Sequence, residues 1–180
     1  MNEFFDDYFS EIDKGCRSID YTKLITISEM IKKVNVEGGT IFIVGNGGSA
    51  AVASHAAIDL TKAANIKATT FNESSLLTCF SNDYGYEYWV EKALQFYANV
   101  NDMVILISSS GESKNIINAA KKSKEIGLPL ITFSGFSSKN QLREMGDINL
   151  WIDSSNYNII EIVHQTWILS VIDNIIQSKI

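Results

Sequence analysis

The chain contains only two cysteines and one proline, and it carries fewer basic than acidic side chains. Cys16 and Cys79 lack the spacing of a metal motif, and two cysteines make no disulfide framework, so we expect reduced thiols. The net charge of −6 argues against nucleic acid as the main ligand. Runs of about 18 consecutive apolar residues are absent, so no membrane span is expected. With an acidic start unlike that of a signal peptide, these absences predict a cytoplasmic protein.

The 180 residues are enough for one domain with a substantial core, and we predict a single domain over 1–180. Short apolar runs alternate with segments of helical pattern from residue 40 onward. The predicted strands are 40–44, 66–71, 103–107, 128–133 and 148–152. The predicted helices are 49–62, 86–97, 114–126, a short one at 139–145 and a long one at 157–178. The segment 72–78 is predicted as a loop that leads into a helix, with a turn at 82–85. This alternation predicts an α/β fold in which helices cover both faces of a parallel sheet.

Two more helices are predicted ahead of the first strand, at 2–16 and 20–34. The first has an aromatic and apolar stripe that is formed by Phe4, Phe5, Tyr8, Phe9 and Ile12. A doubly wound sheet does not require these helices. We therefore predict that 1–36 packs against another subunit and that 37–180 forms the α/β core. The alternative is that the helices cover the sheet of their own chain.

The first predicted strand ends in a loop with almost no side chains, 45–48, and a helix rich in alanine follows. Ser49 is predicted as the N-cap of that helix. A strand, a glycine loop and a helix N-terminus together form an anion site, because backbone N–H groups can approach a phosphate closely there. The loop has neither the dinucleotide-binding nor the P-loop pattern. The alternative is a tight turn with no ligand.

A loop rich in hydroxyl groups follows the third predicted strand. It contains Ser108, Ser109, Ser110 and Ser113 around a single glycine, directly before a helix. Hydroxyl and backbone N–H donors at a helix start are suited to phosphate. Neither loop contains lysine or arginine, which favours a reversibly held phosphate ester over phosphoryl transfer. The alternative is an ordinary capped turn.

Two groups of polar residues share helix faces. His55 and Asp59 are four residues apart and could bind a divalent metal or act as a base with its orienting partner. Glu161, His164 and Gln165 share a face of the almost wholly apolar terminal helix, which predicts that they face a site or a subunit interface. The alternatives are a half-buried histidine bonded to a carboxylate in the first case and a buried hydrogen-bond network in the second.

These motifs resemble the SIS (sugar isomerase) domain family and, within it, the phosphoheptose isomerases. The similarity runs from about residue 39 to the end of the chain, and the two leading helices also fit. It rests on five segments: GNGGSAA at 45–51, HAAIDL at 55–60, SNDYGY at 81–86, ISSSGES at 107–113 and IEIVH at 160–164. The glycine and serine motifs in this order are specific to the superfamily but less specific to one substrate.

The resemblance implies a flavodoxin-like, doubly wound, parallel five-stranded sheet with two leading helices and a long C-terminal helix. It also implies a homotetramer with active sites between subunits. The implied reaction converts sedoheptulose 7-phosphate into D-glycero-D-manno-heptose 7-phosphate through a cis-enediol. The implied phosphate-binding residues are Ser108, Ser109, Ser110 and Ser113, and the other implied substrate contacts are Asn46, Gly47, Ser49, Asp83 and His164.

The resemblance further implies one zinc ion per subunit, held by His55, Asp59 and Glu161, and these three are also the expected catalytic residues. Asp59 stands where the family has a glutamate that serves as base, and Glu161 stands where it has glutamine. Leu169 replaces a family histidine. An aspartate is one methylene shorter than glutamate, and a misplacement of roughly an ångström can cost about a hundredfold in rate.

Two further functions follow from the same residues. A tetrameric SIS protein could bind a sugar phosphate or a protein partner without turnover, which the loss of a histidine at Leu169 favours. A nucleotide-binding domain is disfavoured, because the glycine loop lacks the lysine and the sheet lacks the acidic ribose partner.

Overall fold

The computed structural model describes residues 2–178, and a five-stranded sheet lies at its centre. The strands are β1 (Ile41–Gly45), β2 (Ala68–Thr69), β3 (Met103–Ser108), β4 (Leu130–Ser134) and β5 (Ile148–Trp151). They are all parallel and lie in the order β2-β1-β3-β4-β5, which is the flavodoxin-like order. The predicted fold class is therefore confirmed.

The helices largely match their predicted positions. They are α1 (Asn2–Arg17), α2 (Tyr21–Val36), α3 (Gly48–Lys62), α4 (Ser74–Tyr84), α5 (Trp89–Tyr97), α6 (Lys114–Glu125) and α7 (Tyr157–Gln177). The predicted turn at 82–85 was wrong, because 82–84 form the last turn of α4 and Gly85 ends it with φ +87°. The predicted helix at 139–145 is a single 3-10 turn, Leu142–Glu144.

The second predicted strand is shorter than its apolar run. Ile66 and Phe71 are buried, but only Ala68 and Thr69 pair with β1. Apolar side chains thus show which residues contact the core. They do not show how many residues of an edge strand pair with the single neighbouring strand.

Side chains that alternate along the strands divide the core into two layers. Ile41 and Ile43 of β1 face the layer of α2, α3 and α7, whereas Phe42 and Val44 face that of α5 and α6. Because both faces are covered, the three central strands consist almost wholly of buried residues. Burial on both faces of the sheet therefore explains the continuous apolar runs in the sequence.

The leading helices divide their apolar residues between the core and the surface. Ile27 and Ile31 of α2 are fully buried against the sheet layer, and the indole of Trp167 in α7 donates a hydrogen bond of 2.9 Å to the carbonyl of Cys16 at the end of α1. Phe4 and Phe9 of α1 are nevertheless about two thirds exposed, at 66% and 63%. These helices therefore cover the sheet of their own chain and still present an aromatic face.

By its length and composition, the terminal helix α7 could cross a membrane. This differs from the expectation, which rested on the absence of long uninterrupted apolar runs. Half of its most apolar stretch is buried inside the chain. The core helix of a soluble protein passes the same test, so this property is weak evidence for a membrane.

His164 lies inside the core and not on a site, so the structure does not support its predicted contact with substrate. Its ring is fully buried between Phe133 and Trp167, and Nε2 is 3.1 Å from the carbonyl oxygen of Ser134. A carbonyl only accepts, so Nε2 carries the proton, and Nδ1 has no partner within 2–178. Burial lowers the pKa of His164 from 6.5 to about 4.

We predict that His164 makes folding sensitive to acid. Below pH 6.5 the unfolded chain binds a proton that the folded chain excludes, so stability falls as the pH drops from 6.5 towards 4. The loss is about 3 kcal/mol at most, because each pKa unit corresponds to about 1.4 kcal/mol. Urea unfolding at several pH values should show this slope in the wild type and a flatter one in His164→Phe. Equal slopes would contradict the assignment.

Candidate active site

The two loops of the site lie side by side at the carboxyl edge of the sheet. β1 and β3 are adjacent, with Gly45 paired to Ile107, so the glycine loop (45–48) and the serine loop (109–113) leave the sheet at neighbouring points. β2 and β3 lie on opposite sides of β1, which makes this the switch point where parallel α/β sheets bind ligands.

The glycine loop leads directly into α3. Gly47, with φ +55°, is the N-cap, and Ser49 is already the second helical residue. The prediction that Ser49 caps the helix was therefore wrong. Ser49 is buried instead against Gly45. A Cβ at position 45 would collide with the backbone of Ser49. The loop needs glycine at 45 for this close approach and at 47 for the left-handed conformation.

The serine loop packs closely against the side chain of Asn140. Its amide is fully buried and donates to the carbonyl oxygens of Gly135 and Ser137, while its oxygen accepts from the backbone N–H of Arg143. Gly111, with φ +68°, lies so close to Asn140 that a Cβ would overlap its side chain. Two backbone bonds reach the loop itself: the Gly135 N–H donates to the Ser109 carbonyl over 2.8 Å, and the Leu142 N–H donates to the Gly111 carbonyl over 3.1 Å.

The loops enclose a small cavity of about 120 Å³. Its walls are formed by Asn46, Ser49, Ile107, Ser108, Ser109, Ser110, Ser113, Tyr157 and Glu161. The Ser108 hydroxyl donates to that of Ser113 over 3.1 Å, and the Ser110 hydroxyl accepts from the N–H of Glu112. The Ser109 hydroxyl is buried and has no hydrogen-bond partner within 2–178. Since buried polar groups are almost always paired, the Ser109 hydroxyl is a candidate to bind a ligand in this cavity.

Both helices that begin at this cavity lack a side-chain cap. In the described chain, α2, α4 and α7 are capped by Asp20, Glu73 and Asn156, whereas no side chain caps α3 or α6. Helix α5 is also uncapped, but no α5 residue lines the cavity. The positive ends of two helix dipoles therefore meet a cavity lined by hydroxyls, which is an arrangement that binds an anion.

A reciprocal amide pair joins the glycine loop to the first turn of α6, directly after the serine loop. Asn46 Nδ2 donates to Asn115 Oδ1, and Asn115 Nδ2 donates to Asn46 Oδ1, each over 2.9 Å. The Tyr86 hydroxyl donates to the same Asn46 oxygen over 3.0 Å. Asn46 keeps one free amide hydrogen for a ligand. Sequence reasoning missed Asn115 and Tyr86, since no local pattern shows that a residue in the first turn of α6 faces the glycine loop.

A larger cleft of about 550 Å³ lies between α3 and α7 and reaches Tyr8 of α1. His55 projects into it from α3, and Glu161 and Gln165 project from α7. Glu161 lines both the cleft and the small cavity, so it stands between them.

The Glu161 carboxylate lies against the backbone of Gly48 at the start of α3, where a Cβ would overlap it. It is half-buried and makes no hydrogen bond or ion pair in the described chain. Burial alone raises the pKa of this carboxyl. A partly desolvated, unpaired carboxylate is a candidate proton acceptor.

The structure brings His55 and Asp59 together as predicted, with Nε2 3.2 Å from Oδ2. His55 lines the cleft, but Asp59 lines neither cavity within the described residues. Asp59 therefore orients the imidazole from outside the cleft.

The predicted zinc ligands do not converge. Over residues 2–178, no group of three or more His, Cys, Asp or Glu side chains is arranged to hold a metal ion. Leu169, partly buried against the core, supplies no ligand. The binding of zinc stays a prediction.

Asp83 lies away from both cavities as the structure has them. It is exposed near the end of α4, where Asn82 donates to it over 2.9 Å. Its predicted contact with a sugar hydroxyl stays a prediction.

Known proteins are similar to this chain in sequence and in fold. The SIS domain family model matches residues 7–135. A protein of Thermoplasma acidophilum named "Probable phosphoheptose isomerase" is 35% identical over 166 residues, which are 88% of this chain and 90% of the relative. The phosphoheptose isomerase of Campylobacter jejuni is 35% identical over 163 residues, covering 86% and 82%. The structure of phosphoheptose isomerase from Neisseria gonorrhoeae has a TM-score of 0.89, 26% identity and 97% coverage of both chains.

We predict opposite effects of Ser109→Ala on binding and stability. Phosphate binding should weaken about tenfold or more, since a hydrogen bond to a charged group contributes about 1.5–3 kcal/mol. The ligand-free protein should gain about 1 kcal/mol, because an unpaired buried hydroxyl is removed. Calorimetry with inorganic phosphate and urea unfolding test the two effects. Ser138→Ala, at an exposed serine of a neighbouring loop, should change neither, and unchanged phosphate binding in Ser109→Ala would contradict the site.

A second prediction concerns the amide pair. Asn115→Ala should lower stability by about 1–3 kcal/mol, because it leaves the Asn46 amide without its partner. Asn118→Ala, one turn away on α6, removes a single exposed bond to the Glu87 carbonyl and should cost less. Urea unfolding measures both variants, and equal losses would show that the pair is no stronger than a surface bond.

Proposed function

The chain belongs to the SIS domain family, and on that premise we propose that it is a phosphosugar isomerase of the phosphoheptose type. The proposed substrate is sedoheptulose 7-phosphate, and the product is D-glycero-D-manno-heptose 7-phosphate. The proposal rests on one observation. Glu161 forms part of the wall of two adjoining spaces, a small cavity lined by hydroxyls and a larger cleft that contains His55.

The small cavity suits the phosphate. Its donors are neutral hydroxyls, one free amide hydrogen of Asn46 and the N-termini of α3 and α6. The loops contain no lysine or arginine that would stabilise the charge of phosphoryl transfer. The ester is therefore bound and not cleaved.

The cleft suits the carbon chain and the proton transfers. In an aldose–ketose isomerisation, a base removes the proton from the carbon beside the carbonyl, which gives a cis-enediol, and returns it to the neighbouring carbon. His55 and Glu161 are the titratable groups of α3 and α7 that line this cleft. His55, oriented by Asp59, is placed to move a proton between the two oxygens.

The exposed aromatic face of α1 supports a further part of the proposal. Phe4, Phe5 and Phe9 expose between 56% and 66% of their area in the single chain. Burial against other copies would remove this apolar patch from water. We propose on this basis that copies of the chain associate, as the homotetramer that the family resemblance implies, and the cytoplasmic location expected from the sequence is kept as part of the proposal.

A regulatory protein that binds a sugar phosphate without turnover is the second candidate function. Leu169 favours it, because this side chain packs against the core and cannot transfer a proton.

The test is direct. Purified protein, assayed without metal and with added zinc, should convert sedoheptulose 7-phosphate into the aldose. Ser110→Ala and Ser113→Ala should each raise the KM about tenfold, the equivalent of about 1.4 kcal/mol of lost phosphate binding. Ser138→Ala is the control. Calorimetric binding of the sugar phosphate with no turnover under either condition would contradict the enzyme and favour the regulatory protein.

A further inference from the structure

We propose, on the basis of the isomerase function above, that Glu161 of α7, and not Asp59 of α3, is the catalytic base. In the same proposal, the side-chain amide of Gln165 binds the carbonyl oxygen of the substrate.

The first argument is the position of Glu161. Its carboxylate forms part of the wall of both cavities, so a ligand with its phosphate in the serine loop must pass it to reach the cleft. Other carboxylates at helix starts are engaged: Asp20 and Glu73 both cap backbone N–H groups. Glu161 makes no such bond to any residue in 2–178, although Gly48 allows it to approach the start of α3. The acceptor is therefore free for a substrate.

The second argument is the orphaned amide of Gln165. Its Nε2 atom is buried and has no hydrogen-bond partner among the described residues, yet the side chain lines the cleft. Glu161 and Gln165 are four residues apart and share a face of α7, but they do not bond to each other. An unpaired donor beside an unpaired acceptor matches a substrate that offers a C–H to one and a carbonyl oxygen to the other.

The third argument concerns Asp59. One of its carboxylate oxygens is 3.2 Å from His55 Nε2, and the residue lines neither cavity in the chain as described. It is placed to position the imidazole and not to reach a substrate carbon.

The proposed reaction starts from the ketose. In sedoheptulose 7-phosphate, a C1–H bond breaks and Glu161 takes the proton, the electron pair forms the C1=C2 bond, and the carbonyl pair moves to O2 beside Gln165. His55 delivers a proton to O2 and takes one from O1, so the oxygens exchange no net proton with solvent. Glu161 then returns its proton to C2 while the C1=O1 bond forms, and the aldose leaves.

The experiment compares wild type, Glu161→Gln, Glu161→Asp, Gln165→Leu and Asp59→Asn, with Asp173→Asn as a matched carboxylate-to-amide control on the exposed face of α7. Turnover of sedoheptulose 7-phosphate, exchange of its C–H protons with D₂O and calorimetric affinity are measured with and without zinc. Glu161→Gln should lose exchange and turnover by about 10² to 10⁴ with an affinity within threefold of wild type. Glu161→Asp should lose about a hundredfold, Gln165→Leu about 10² in kcat, and Asp59→Asn tenfold or less.

Three results would overturn the proposal while leaving the isomerase function intact. They are C–H exchange in Glu161→Gln within tenfold of wild type, a loss in that variant that zinc restores, and a loss of affinity that accounts for the whole effect. If Glu161→Gln does not fold, Glu161→Asp is judged by the same three criteria. A wild-type protein without turnover would instead remove the isomerase function and this inference with it.

Discussion

The reciprocal amide bonds between Asn46 and Asn115 tie the glycine loop to the first turn of α6, which directly follows the serine loop. The loops belong to different strands and are separated by more than sixty residues, so neither can position the other locally. The hydrogen bond from Tyr86 to Asn46 adds a third element to the same point. A phosphate needs donors from both loops at once, and this small polar contact lets the rigid β1–β3 pair present them together. The loops then lose their conformational entropy during folding, so phosphate binding does not have to order them.

Some buried polar groups that have no partner in the described chain lie at the site. The Ser109 hydroxyl and the Gln165 amide are two of these, and both line the adjoining cavities, as does the unpaired Glu161 carboxylate. The folded chain would be more stable if each of these groups were replaced by an apolar group or given a hydrogen-bond partner. The buried layers on both sides of the sheet supply the stability that allows these groups to remain open to a ligand.

Local patterns predicted the central strands and the positions of the glycine and serine loops well, because a strand buried on both faces and a loop of glycines or serines are both visible within ten residues. They were less informative where the answer depends on contacts across the fold. The spacing of His164 on α7 allowed either a site or a buried network, and the packing of the core places its ring beside Phe133 and Trp167. Asn115 gave no signal, since its partner is 69 residues away. Ser49 was misassigned because Gly47 can adopt the left-handed conformation that starts the helix earlier.

The contact between Gly48 and Glu161 links phosphate binding to the position of the carboxylate. Gly48 begins α3, the helix whose positive end faces the phosphate cavity, and a side chain there would displace Glu161. The anion site and the carboxylate therefore share one glycine. Two negative groups, the ester and Glu161, are then held close together, and the helix dipole between them offsets part of their repulsion. The same repulsion makes the ionised carboxylate a stronger proton acceptor while substrate is bound, which is what removal of a proton from carbon requires.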